Sequence, residues 1–182
     1  KEIKQYFNVD LLIVSKNQSI KDIETLVLNG FKMFGENRVQ EAMLKFQELE
    51  THKYNIKLHL IGPLQTNKVN SALKTFDVIQ TIDRISLIDE ISKKIKTMQN
   101  IKTKEYFIQV NIGDEIQKFG VSKEGVSDIY NYCIEKKLNI VGLMCIPPNV
   151  VDPSIYFSEM FEIKERINKN LKLSMGMSSD YK

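Results

Sequence analysis

Short aliphatic runs alternate along the chain with longer stretches whose apolar residues recur every third or fourth position. The first pattern predicts buried strands and the second amphipathic helices. The leading run, residues 10–16, reads Asp-Leu-Leu-Ile-Val-Ser-Lys. An unbroken aliphatic core between polar ends predicts a strand buried on both faces. Ser19 to Asp22 then forms a capping box ahead of the stripe Ile20, Ile23 and Val27, and Gly30 is the C-cap. Residues 32–35 predict a second strand, and residues 36–50 a helix with Val39, Met43 and Phe46 on its buried face.

The alternation continues. Strands are predicted over 58–63, 76–82, 105–112, 139–146 and 171–176. A helix fills residues 65–74. Asp83 caps one carrying Leu87, Ile88, Ile91, Ile95 and Met98, and Ser122 caps one carrying Val126, Ile129 and Cys133. Asp152-Pro153 opens the last, along which lie Phe157, Phe161 and Lys164.

Strict β/α alternation implies an α/β fold with a parallel sheet and right-handed crossovers. Units of this size predict a TIM-type (β/α)8 barrel, with an open doubly wound sheet as the alternative. Seven strands are read within the 182 residues and no eighth. A single barrel domain over residues 1–182, incomplete at its C-terminal end, is therefore expected. An open seven-stranded barrel would leave the long exposed edge that proteins avoid.

Composition narrows the class without naming a function. Apolar content of 42% and charged content of 27% are those of a globular chain. No apolar run approaches a membrane span, and the charged start of the chain gives no secretory signal. Two cysteines, Cys133 and Cys145, make no disulfide framework, and with two histidines they offer no zinc spacing. A cytoplasmic monomer, bound to neither membrane nor nucleic acid, is expected. A net charge of +3 is too small to argue for a nucleic-acid partner. A nucleic-acid or protein-binding barrel remains the weakest of the readings. No Gly-rich dinucleotide or phosphate-loop motif follows the first strand.

In a parallel barrel the chemistry gathers at the C-terminal strand ends. The first strand ends on Lys16, an expensive residue there unless its amine has a task. Its plain reading is a lysine reaching to solvent. The other ends bring Asn37, His59, Asn111, Cys145 and the run Ser174-Met175-Gly176-Met177-Ser178. Asn37 reads equally as a helix cap, and His59 as a hydrogen-bonded core histidine. Together the set suits an aromatic aldehyde with a phosphate handle. Lys16 would supply a Schiff-base amine, Met and His soft flat neighbours, and Gly176 to Ser178 amides and a hydroxyl for phosphate.

These stretches also resemble one family. Residues 12–16 (Leu-Ile-Val-Ser-Lys), 34–41 (Phe-Gly-Glu-Asn-Arg-Val-Gln-Glu), 59–68 (His-Leu-Ile-Gly-Pro-Leu-Gln-Thr-Asn-Lys) and 109–112 (Gln-Val-Asn-Ile) with Lys118-Phe119-Gly120 carry part of the likeness. Residues 142–147 (Gly-Leu-Met-Cys-Ile-Pro) and 173–180 (Leu-Ser-Met-Gly-Met-Ser-Ser-Asp) complete it. In that order, over nearly the whole chain, they look like the pyridoxal phosphate homeostasis proteins, also called the proline synthase co-transcribed family.

The resemblance implies a barrel similar to the N-terminal domain of alanine racemase, with pyridoxal 5′-phosphate (PLP) held as a Schiff base on Lys16. It places Asn37 beside the cofactor and Ser178 on its phosphate, with His59 and Met175 lining the pocket. It implies buffering of active vitamin B6 and its delivery to PLP-dependent apo-enzymes, without catalysis. A PLP-dependent amino-acid racemase is the alternative, disfavoured because no tyrosine is read at a strand mouth to act as second base. The family continues past Ser178 to a strand with a Val-Arg-Ile-Gly pattern, which this sequence does not include. Without it, the chain is expected to hold the cofactor poorly.

Overall fold

The computed structural model describes residues 9–49 and 54–177. Among them the chain builds one parallel sheet of seven strands in sequential order. The strands are β1 (Ile13–Val14), β2 (Met33–Glu36), β3 (Lys57–Leu60), β4 (Val78–Ile82), β5 (Glu105–Val110), β6 (Ile140–Cys145) and β7 (Lys172–Ser174). Between them run α1 (Ile20–Leu28), α2 (Val39–Glu48), α3 (Val69–Thr75), α4 (Ile85–Thr97), α5 (Val126–Glu135) and α6 (Ser154–Ile167). A short 3-10 turn, Thr66–Lys68, leads into α3.

Paired residues of a parallel sheet share a face. The pairings carry one face through Val14, Gly35, His59 and Val78. It continues through Glu105, Phe107, Gln109, Gly142, Met144 and Ser174. The opposite face, with Phe34, Leu58, Leu60, Ile79 and Ile108, joins the helices in the main core. A second, smaller core of Val78, Phe107 and Met144 fills the inner side. Gly142 leaves room there for the Phe107 ring, which a Cβ would meet at 2.3 Å.

The sheet is curled. β4 and β7 are not neighbours, yet Ser174 Oγ reaches Gln80 Oε1 at 2.7 Å across the inside. This half-barrel is the expected α/β architecture, and an eighth strand is not seen among the described residues.

The first strand differs from its prediction. It has two residues rather than seven, and Val14 is 45% exposed. An aliphatic run shows that a strand is buried, not which faces are covered. β1 lies at the sheet edge and pairs only with β2.

Of three local readings, one holds and two shift. Ser19 does cap α1 by accepting from the Asp22 amide. Asp83 caps nothing: Arg84 takes the N-cap position, and Asp83 pairs with its guanidinium at 2.6 Å. On α2 the buried positions include Val39, Ala42, Lys45 and Phe46, while Met43 is exposed. The face has turned because Lys45 is drawn inward by Glu36, at 2.8 Å.

Candidate functional site

The C-terminal strand ends form one rim. Lys16 lies in the turn after β1 and is exposed. It follows directly on Ser15, whose amide still pairs with Gly35 O at 3.0 Å. Its side chain makes no hydrogen bond or ion pair among the described residues. Asn17, which follows, holds φ at 60°, in the left-handed region. Asparagine tolerates that region better than most residues, so the chain can turn sharply just past the lysine.

Asn37 follows β2 and is half-buried. It does not cap α2, whose N-cap is Arg38. The loop after β3 packs on it so closely that a Cβ on Gly62 would fall 2.1 Å from Asn37 O. Gly62 thus lets two neighbouring strand ends touch backbone to backbone.

His59 stands on the inner face of β3 and is buried. Its Nδ1 is 2.7 Å from Gln80 Nε2. Burial, helped by the charge of Lys57, pulls its pKa down to about 4. The imidazole is therefore neutral near pH 7. Its Nε2 has no hydrogen-bond partner, and neither does the buried Gln109 Oε1 on the same face. Gln109 Nε2 donates to Phe119 O at 3.3 Å, fastening the loop after β5. A Cβ on Gly120 would fall 2.5 Å from Asn111 N, so that loop lies directly on the end of β5.

Met175 follows β7 and is 40% exposed, and Met177 and Ile146 are also exposed on the rim. Gly176 between the methionines has φ at 95°. Ser178 lies outside the described residues. Lys118 is a loop lysine, paired with Glu115 and donating to Pro147 O at 3.1 Å. Cys145 is buried, and burial pushes its thiol up to about 12, as befits an apolar filler. Among the described residues no cluster of three or more potential metal ligands exists.

The structure thus sets Lys16 and Asn37 on adjacent strand ends. It links His59 through Gln80 to Ser174, the residue before Met175. Sequence reading missed Gln80 and Gln109. Each is an amide inside an otherwise aliphatic strand, and that misfit was the available signal. It also missed the Glu36–Lys45 pair, whose signal was a lysine on the apolar stripe of α2.

The curled parallel sheet with its outer helices defines a (β/α)-barrel protein with the fold of the alanine racemase barrel. The fold matches alanine racemase of Clostridium difficile with a TM-score of 0.70 at 9% identity, over 96% of this chain and 47% of that one. Nearer relatives are more specific. The chain is 34% identical over 180 residues to the pyridoxal phosphate homeostasis protein of Aquifex aeolicus, covering 94% of this chain and 77% of that protein. It is 35% identical over 183 residues to that of Haemophilus influenzae, covering 94% and 76%. The chain belongs to the pyridoxal phosphate homeostasis protein family.

PipY of Synechococcus elongatus, solved without PLP, matches with a TM-score of 0.80 at 27% identity, over 99% of this chain and 88% of PipY. PipY with PLP bound matches with a TM-score of 0.78. No family model matches the chain. No helix of the described residues is long and apolar enough to cross a membrane.

Proposed function

We propose that this chain binds PLP at the barrel mouth and holds it in reserve, as part of vitamin B6 homeostasis, for PLP-dependent apo-enzymes. The observation that carries the reading is its likeness to PipY, a relative solved with PLP bound, over nearly the whole chain.

The residues present fit such a group. Two buried polar atoms on the inner face, His59 Nε2 and Gln109 Oε1, lack partners. Buried polar groups are normally satisfied, so a polar ligand suits that face. Exposed Met175 and Met177 give a soft apolar rim for a flat ring. When bound, PLP supplies an aldehyde that a primary amine captures covalently with loss of one water.

Lys16 would supply that amine, and Asn37 would lie beside the ring. His59 and Met175 would line the pocket. Ser178, with the turn at Gly176, would take the phosphate. The imidazole of His59 is neutral near pH 7, so it would line the pocket without adding a charge.

The protein acts as a binder rather than a catalyst in this reading. Racemisation needs a proton donor and acceptor on opposite faces of the substrate carbon. The described tyrosines, Tyr54, Tyr106, Tyr130, Tyr132 and Tyr156, lie at no C-terminal strand end. The proposal extends to a single barrel domain acting as a cytoplasmic monomer, among the enzymes it would supply.

The test is direct. The protein mixed with PLP is reduced with borohydride, digested and mapped by mass. The adduct is expected on Lys16, and an adduct confined to other lysines overturns the assignment. Incubation of the PLP-loaded protein with L-alanine and other amino acids, followed by chiral chromatography, is expected to show no turnover. Racemisation would establish the enzyme instead.

A further inference from the structure

Lys16 is held by its neighbours more than by its strand. β1 pairs with β2 only at Ile13–Phe34 and Val14–Gly35. Beyond them, Ser15 N still donates to Gly35 O at 3.0 Å. The next residues are fixed by a partly buried cluster of charges. Lys45 Nζ, on α2, donates to Ser15 O at 2.9 Å, to Glu36 Oε1 at 2.8 Å and to Glu41 Oε1 at 3.1 Å. Ser15 Oγ donates to Glu36 Oε1 at 2.8 Å. Asn17 N donates to Glu41 Oε1 at 3.1 Å. The residues on both sides of Lys16 are therefore clamped by charged groups.

This is an unusual way to build a core. Glu36 is fully buried and the Lys45 side chain is only 8% exposed. Burying an ion pair is costly, and apolar residues of similar volume often stabilise as well or better. Glu36 Oε2 is left without a partner. Asn17 adds a left-handed backbone beside it. Departures from good packing belong at functional positions, and these converge on one residue.

Lys45 is not itself the capturing amine. Burial pushes its pKa down, but hydrogen bonds to Glu36 and Glu41 outweigh that and hold it above the ordinary lysine value. It remains an ammonium, which does not attack an aldehyde.

We infer that Glu36, Lys45 and Glu41 are positioning residues for Lys16. They fix the end of β1 so that its amine faces the mouth, and so set how tightly the protein retains an aldehyde ligand. The inference rests on the reading of Lys16 as the PLP-capturing amine. None of the three touches the ligand; they act through the backbone of Ser15 and Asn17.

The test uses the full chain, the variants E41A and E41Q, and the double variant E36L/K45M. PLP affinity is measured by absorbance titration with mapping of the reduced adduct. On the PLP-free protein, thermal unfolding and amide hydrogen exchange of residues 15–17 are measured. E41A is expected to bind PLP roughly tenfold more weakly, the loss of a hydrogen bond to a charged group. E41Q retains an acceptor for Asn17 N and should recover most of that affinity. E36L/K45M is expected to bind about a hundredfold more weakly, with no drop in unfolding temperature. Exchange at Asn17 should quicken in both E41A and E36L/K45M.

A purely structural cluster would give the reverse: a lower unfolding temperature with unchanged affinity. That result, or wild-type affinity and exchange in both variants, overturns the inference. Should E36L/K45M not fold, E41A decides alone, because Glu41 is 30% exposed and its loss leaves the buried pair intact. If the parent chain carries no adduct on Lys16, the functional reading fails separately. Exchange in the PLP-free protein then still decides whether the cluster holds the strand end.

Discussion

The His59 imidazole and the Gln80 amide meet at 2.7 Å from adjacent strands. Ser174 Oγ donates to the Oε1 of the same Gln80 at 2.7 Å. With Oε1 so engaged, the amide N–H faces Nδ1, which accepts. The network thus assigns the imidazole proton to Nε2. A neutral ring whose buried Nε2 donor has no partner thus follows from two contacts that meet at Gln80 on β4.

Stability should depend on pH through His59. Its pKa falls from 6.5 to about 4 on folding. The folded state therefore binds fewer protons than the unfolded chain between these values. The stabilisation is complete above pH 6.5 and is lost as pH falls through about 4. The gap corresponds to at most roughly 3.5 kcal/mol. Denaturant unfolding between pH 7 and 4 should show this slope in the parent chain and not in His59→Gln.

Gly62→Ala should disturb the mouth. The added methyl would sit 2.1 Å from Asn37 O, a backbone atom that cannot swing aside. A loss of about 2 kcal/mol is expected, together with weaker PLP binding. Gly176→Ala offers a contrast, since nothing lies within 4 Å and only its φ of 95° opposes a side chain. Unfolding midpoints of the two variants will rank them.

Lys45→Met should cost more than Glu36→Leu and Lys45→Met together. The single change leaves a carboxylate buried without its cation, worth about 3–5 kcal/mol of destabilisation. The double change removes both charges. Equal stability of the two variants would show that Glu36 finds another partner.

Lys16→Ala should abolish the PLP colour and leave the fold untouched. The side chain is exposed and makes no hydrogen bond or ion pair with the described residues. Its removal should shift stability by no more than about 0.5 kcal/mol. Circular dichroism and unfolding, read beside absorbance, separate the two effects.

Cys133 and Cys145 should resist alkylation in the folded protein, because burial pushes both thiols up to about 12. Iodoacetamide followed by mass measurement should find both free until denaturant is added.

Much of this was legible in the sequence. The strict alternation of aliphatic runs and amphipathic stripes gave the strand order, because each β/α unit is local. The position of Lys16 at a strand end followed from the same pattern. The roles proposed for Asn37, His59 and Ser178 come from the resemblance alone, and Ser178 lies outside the described residues. The inner amides were harder to read. Gln80 is explained by His59 on the next strand and by Ser174, 94 residues away, which the curl brings to it. The Lys45–Glu36 pair was not read because its two residues lie on different elements. The extent of β1 was misread because its run of Leu and Ile is compatible with any pattern of cover.

With two residues against the six of β5, the first strand adds little to the cohesion of the sheet. Its lysine-bearing tip is held by a handful of contacts, to Gly35 and Glu36 of β2 and to Lys45 and Glu41 of α2. Were Lys16 to hold a ligand as proposed, that tip could loosen and let it go while β3 to β6 keep their pairing.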